Sequence, residues 1–394
     1  MKKILNKIFG GSQKRELSEL CASMAIRRLA VSMIAIFEPI FIYSIFKSLR
    51  TVVLYYAIVY LFYIFSLPLG GKIASRYGFE HAIAYSVPII IVYFILLFNM
   101  AYFPYLLFYS AAIILAAYKS LFWPAYYTNL AHYGEGSNRG GEVSAITAIG
   151  CVVGIVGPLL GGFIIASFGF KVLFVIVAIL FFCSIIPLFT TIEKFEPRHL
   201  SYWKTFRRIF KPYASYTRKD QIAYLGRAEE FSVMVLWPMF IFFTIGNFTT
   251  LGALTTVSLL LSAIITLYVG KLSNYRETSQ PFYRFAVIIN TLAWFAKSFL
   301  TSLVGIFTMD AISRNTYNSI WVPTSAEVNR KGSQRGYIKN ALFFEMNLAI
   351  GKTIFALFLV LLLSFTQSWF ILFSVTGVVG LMYLSLQFIT THNV

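Results

Sequence analysis

Apolar residues in this chain come in long unbroken runs, not in stripes. Twelve of them stand near residues 24–46, 51–71, 82–101, 105–128, 143–166, 172–191, 228–247, 250–270, 282–302, 304–326, 338–362 and 367–388. Each is close to the length of about 20 residues that a helix needs to cross the hydrocarbon core of a bilayer. Barrel strands would alternate over about ten residues, so the runs exclude a β-barrel and predict helices. The expected fold is an all-α integral membrane bundle of twelve transmembrane helices. Polar punctuation separates the runs, as in "GGKIASRYG" at 71–79 and "VGKLSNYR" at 269–276, and the one long break is the basic segment from Glu193 to Arg227. Twelve crossings leave no room for a soluble catalytic domain.

Composition agrees. Of the 394 residues 58% are hydrophobic and only 12% charged, where soluble domains carry about 25% charged residues. The charges also sort by side. With both termini on one face, 26 of the 33 Lys and Arg fall on that face, and only Lys47, Arg50 and Lys171 fall on the other. Cytoplasmic loops concentrate Lys and Arg, so both termini are expected in the cytoplasm. The net charge of +18 is then topological, with some contact to anionic headgroups, and nucleic acid is not an expected partner. Residues 1–23 read as a short amphipathic segment on the membrane surface. Cys21, Cys151 and Cys183 show no C-x-x-C spacing, and the four His residues are scattered. Neither set builds a disulfide framework or a metal site. The sequon Asn247-Phe248-Thr249 lies at the end of a crossing.

The two punctuation marks are related. Gly71-Lys72 and Gly270-Lys271 are 199 residues apart, and so are Pro39 and Pro238, and Pro124 and Pro323. "GSNRG" at 136–140 pairs with "GSQRG" at 332–336 at an offset of 196. Four anchors in one order describe two copies of a six-helix unit, and an even number of crossings per copy makes them parallel repeats. The expected units are 24–192 and 228–390, joined by a basic linker at 193–227.

These features resemble the major facilitator superfamily over essentially the whole chain. The loop between the second and third helices of that family reads approximately G-x-L-A-D-R-x-G-R-K. Gly71, Arg76 and Gly78 match it, Ser75 stands in place of the acid, and Phe79-Glu80 replaces the basic pair. The fifth helix carries Gly157-Pro158-x-x-Gly161-Gly162, similar to the core of the family's antiporter motif. The resemblance implies that the halves rock about a midplane site. Gly71, Arg76, Gly78, Gly157, Pro158, Gly161, Gly162 and Gly270 would shape the moving contacts, Arg76 bridging to a helix end of the other half. It also implies that the first, fourth, seventh and tenth helices line the cavity.

An ionisable side chain at mid-depth costs about 2.5–3.5 kcal/mol on insertion scales, so each such residue is a candidate for function. Glu38 stands in the first helix just before Pro39. There it is the candidate proton-coupling acid or, alternatively, a structural partner of Lys119 in the fourth helix. Asp310, Arg314, Asn318 and Trp321 recur at i, i+4, i+8 and i+11 and share one face of the tenth helix. Asp310 and Arg314 can pair, leaving guanidinium and amide donors for a ligand carboxylate or phosphate. Asn318 is the repeat-mate of Lys119, and Trp237 that of Glu38. Trp237 could stack on a ring or a cation. Glu345 and Lys352 share a face of the eleventh helix, with Glu345 either a second titratable site or a partner of loop basics such as Arg335. Lys297, on a helix that is peripheral in the resembling family, is expected to snorkel outward.

No G-x-x-x-x-G-K-[ST] loop occurs, so ATP is not the expected driver. The expectation is a monomeric secondary transporter without a cofactor, coupling a small-molecule substrate to protons across the bilayer. Export by antiport is suggested by Gly157-Pro158-x-x-Gly161-Gly162, and uptake of an organic anion by the basic excess of Lys119, Arg314 and Lys352. A lipid-translocating or non-transporting membrane role is the third reading, and an enzyme is not expected.

Overall fold

The computed structural model describes residues 12–133, 139–189, 197, 199–208, 210, 218–272, 279–333 and 336–386. Among these residues the regular structure is all helical, and there is no strand. We number the rods by crossing. α1 runs over Ser12–Ile34 and resumes as Glu38–Phe46; α2 is Leu49–Tyr77, α3 Phe79–Asn99 and α4 Pro104–Tyr133. α5 and α6 share the apolar stretch Arg139–Cys183, which is broken at Gly169, whose φ of 81° a side chain would oppose. α7 is stacked from Arg218–Gly226, Glu229–Met234 and Leu236–Ile245. α8 is Phe248–Leu272, α9 Ser279–Lys297, α10 Leu303–Ser333, α11 Tyr337–Leu362 and α12 Trp369–Gly380.

Local chemistry sets the ends. Lys47 closes α1 in the left-handed region with φ 51°, and the Ser48 hydroxyl accepts from Thr51 N at 3.2 Å to open α2. Gly78, at φ 109°, makes the tight turn between α2 and α3. Among the described residues seven stretches are long and apolar enough to cross a membrane, including Cys21–Phe46, Leu49–Tyr77, Val152–Leu188 and Arg218–Ile245. α9 and α10 are less apolar because they carry Arg284, Lys297, Asp310 and Arg314. Large side chains such as Phe65, Ile95, Phe163, Phe182, Leu292 and Ile354 are exposed on the outside of the bundle, the surface that lipid covers.

The halves meet along two seams, α2 against α11 and α5 against α8. The repeat exchanges these seams, since α8 is the counterpart of α2 and α11 that of α5. Glycine sets how closely each closes. A Cβ on Gly71 would lie 2.6 Å from the Leu342 side chain, and one on Gly162 would strike the backbone carbonyl of Phe248. Gly157 and Gly161 pack instead on Ser32 and Met33 of α1, inside their own half, and the carbonyl of Pro158 abuts Gly252 of α8. The surroundings of Gly270 lie outside the described residues.

Two stretches differ from the sequence expectation. The apolar stretch that contains the seventh helix begins at Arg218 and spans 28 residues, so Arg227 is buried within that rod and not in an open basic connection. From Ser12 the chain is already one helix running into the first crossing; residues 1–11 lie outside the described residues. Within the connection between halves, a short helix at Tyr202–Arg207 docks on α2, where the Tyr202 hydroxyl donates to the carbonyl of Phe65 at 3.0 Å.

Candidate functional site

The repeat shows most clearly at two helix breaks. Residues Ala35–Phe37 leave the helical path just before Glu38-Pro39. Residue Val235, with φ −118° and ψ −60°, interrupts α7 just before Trp237-Pro238. Each proline lacks an N–H and so relaxes the backbone pattern ahead of it. Between the two breaks lies a cavity of about 170 Å³, lined by Ala35 and Ile36 of α1, Met234 and Trp237 of α7, Thr255 of α8 and Arg314 of α10.

Arg314 is the cavity's charged side chain. Its Nε donates to Asp310 Oδ2 at 2.8 Å, and Asp310 Oδ1 accepts from the Trp237 indole at 2.7 Å. The pair forms with the helical i, i+4 spacing that the sequence offers. Neither Nη of Arg314 has a partner among the described residues. Trp237 packs its edge on Asp310, while the cation over its face is the protein's own Lys297, 4.4 Å from the ring centroid.

A file of tyrosines on α2 connects the remaining charges. Tyr56, Tyr60 and Tyr63 follow i, i+4 and i+7 spacing and so share one helix face. The Tyr56 hydroxyl donates to Glu38 Oε1 at 2.8 Å, and the Tyr63 hydroxyl donates to Glu345 Oε2 at 2.8 Å. Between them the Tyr60 oxygen accepts from Lys119 at 3.5 Å and from Lys352 at 3.3 Å. Among the described residues Glu38 and Lys119 form no ion pair, because the two hydroxyls intervene. Glu345 is satisfied by Tyr63 within the interface; Arg335 lies outside the described residues.

The strongest ionic cluster is one the sequence reading missed. Glu230 receives Lys352 at 2.6 Å, Arg227 at 3.1 Å and the Tyr317 hydroxyl at 2.8 Å. Arg227 also donates to Tyr317 at 2.8 Å and stacks 4.1 Å over Trp321. Lys352 is therefore neutralised by an acid of its own half, and Trp321 is the platform for an arginine. Asn318 donates to Ser262 at 3.1 Å across to α8. Nearby, Glu229 accepts from Trp294 and Asn290, and Asn290 in turn accepts from Thr316. The repeat held the missing signal: the span Cys21–Phe46 moved by the 199-residue offset gives 220–245, which encloses Arg227, Glu229 and Glu230.

Two expectations are corrected. Lys297 does not snorkel outward; it is 1% exposed, with its ammonium 3.4 Å from the centroid of Trp294. Arg76 makes no bridge to the other half among the described residues and lies exposed, 5.4 Å over the ring of Tyr77. Ser75, in the place of the family's acid, is buried and bonds back to the Gly71 carbonyl at 2.7 Å, so no carboxylate faces Arg76 there. Among the described residues no group of His, Cys, Asp and Glu is placed to hold a metal.

Twelve rods in two pseudo-symmetric halves, with buried charges on both sides of the seam, are the architecture of a membrane transporter family. The profile of the major facilitator superfamily matches residues 20–246, and the chain belongs to that family. Among solved structures it is similar to a variant of the E. coli fucose:proton symporter FucP, with a TM-score of 0.64 over 93% of this chain and 96% of that one. At 14% identity that likeness shows the fold alone. No curated protein sequence matches the chain.

Proposed function

We propose that this transporter carries small organic anions together with protons, and that Arg314 is the anion's principal contact. The observation that carries this reading is the state of Arg314. Its Nε is spent on Asp310, and among the described residues both Nη groups are without a partner at the wall of the cavity between the broken helices. A planar fork in that position suits a carboxylate or phosphate taken in two parallel hydrogen bonds.

Glu38 supplies a place for the coupled proton. It opens the second segment of α1, one residue beyond the break whose residues line the cavity, and Tyr56 holds it in place. A carboxyl there changes charge beside the substrate path as the halves rock. Lys119, which bonds to the Tyr60 oxygen and has no acid paired with it among the described residues, keeps the middle of the interface hospitable to negative charge. The argument for export weakens, because Gly157 and Gly161 are used in packing α5 onto α1 and Gly162 in closing on α8. Uptake with protons is the direction that the basic groups favour.

The test is flux in proteoliposomes loaded with a pH-sensitive dye, with gluconate, succinate and fucose offered outside. The expected result is internal acidification with one or both anions, abolished in Arg314→Ala and decoupled from anion entry in Glu38→Gln. Acidification by fucose alone, unchanged in Arg314→Ala, would sink the anion reading.

A further inference from the structure

Lys297 is the buried charge that this cycle leaves unused, and its surroundings are unusual. Its ammonium has three N–H donors, yet among the described residues it has no hydrogen-bond acceptor. It is instead held between two indoles, with Nζ 3.4 Å from the centroid of Trp294 and 4.4 Å from that of Trp237. Each indole turns its N–H edge to a carboxylate: Trp294 donates to Glu229, and Trp237 donates to Asp310. Oε2 of Glu229 is buried without a partner. The lysine thus faces two acids through two aromatic rings and touches neither.

The charges that reach Lys297 are Asp310 and Arg314 from α10 and Glu229 from α7. α12 packs on the same side and carries no ionisable side chain. With Lys297 protonated, two cations balance two anions. With Lys297 neutral, Asp310 has Arg314 as its one nearby cation, and the cluster is one unit more negative beside the cavity. Cation attraction to the ring faces stabilises the ammonium, but less than a direct acid partner in so dry a place would.

We propose that Lys297 is a proton-binding site of the C-terminal half, and that its charge sets how firmly Asp310 holds Arg314. A proton taken from water onto Nζ lets Asp310 share its charge and turns Arg314 toward an anion. Loss of that proton draws Arg314 back. By reciprocity, an anion on Arg314 strengthens the hold of Lys297 on its proton. The second half of this inference rests on the anion reading of Arg314, whereas the first half does not.

Tryptophan fluorescence of the detergent-purified protein, titrated across the neutral range, reads the first half, since protonation occurs against two indole faces. A step in the wild type and in Arg314→Ala, absent from both Lys297→Met and Lys297→Arg, supports the site. A step that survives in Lys297→Met overturns it, as does a wild type with no step. Thermal stabilisation by gluconate and succinate reads the second half. Apparent affinity should weaken about tenfold through the Lys297 step in the wild type, a coupling of ordinary size. It should stay high at all pH in Lys297→Arg and low at all pH in Lys297→Met. A wild-type pH profile in either variant overturns the coupling. If neither anion stabilises the wild type while the fluorescence step behaves as stated, the anion reading of Arg314 fails and the proton site stands.

Discussion

The two halves share a scaffold but not a chemistry. Both break their first helix before a proline at matched positions, and both present small residues to the opposite half. The C-terminal half buries Arg227, Glu229, Lys297, Asp310, Glu345 and Lys352. The N-terminal half buries Arg27 and Glu80, and along the face that meets the other half it offers Glu38, Lys119 and the hydroxyls of Tyr56, Tyr60 and Tyr63. Arginine shows the contrast well. Arg27 is buried against Ser86, the carbonyl of Ile83 and the face of Phe122, with no acid in contact among the described residues. Arg227, at a similar depth in the other half, belongs to an ionic knot with Glu230 and Lys352. The repeat has therefore kept what holds and bends the rods and has let the charged groups collect on one side.

Substitution can test that division. The largest effect is expected at Glu230, because Glu230→Ala leaves Arg227 and Lys352 buried without their acid, at a cost of about 3–5 kcal/mol. Melting of the detergent-purified protein measures it, and Glu38→Gln is the comparison. If Glu38→Gln destabilises as much, the halves do not differ in the way described. Next come the seams. Gly162→Ala drives a methyl into the backbone of Phe248, whereas Gly71→Ala meets the movable side chain of Leu342. Overpacking of the first kind costs about 1–3 kcal/mol. It should raise thiol labelling of a cysteine placed at Thr256, while Gly71→Ala alters labelling little; equal effects would erase the distinction between the seams. Tyr60→Phe should cost about 1 kcal/mol and slow flux without unfolding the protein. Smallest of all, Gly154→Ala meets nothing within 4 Å and should be neutral or stabilising by up to about 1 kcal/mol through helix propensity. A loss of flux there would mean that α5 needs its glycines for motion and not for packing alone.

Much of the scaffold was legible in the chain, because bilayer thickness and helix rise fix run length and because proline and glycine mark breaks and close approaches. The Asp310–Arg314 pair was legible for the same reason, being local to one helix. What escaped was non-local. Glu229 and Glu230 sit in "RAEEF", a polar stretch beside a basic connection, and only their partners on α9, α10 and α11 make burial tolerable. Lys297 was misread because no acid is near it in sequence. Its companions Asp310 and Glu229 come from other helices, and the two tryptophans between them give no charge signal.

The way strong and weak contacts are distributed bears on how fast the machine can run. The ion pairs of Glu230 and Asp310 each lie within one half: Lys352 with Glu230, Arg227 with Glu230, and Arg314 with Asp310. The polar bonds that cross between halves end on hydroxyls, as Lys352 does on Tyr60 and Glu345 on Tyr63. Tyr60 and Lys119 ride together, so when Lys352 departs the oxygen still has a donor and is not stranded. Parting such a charged hydrogen bond adds about 1.5–3 kcal/mol to the barrier, less than the roughly 3–5 kcal/mol of stranding one partner of a buried ion pair. A carboxylate in the place of that hydroxyl would lock the halves together with an ion pair; the phenol gives the sliding surface low friction.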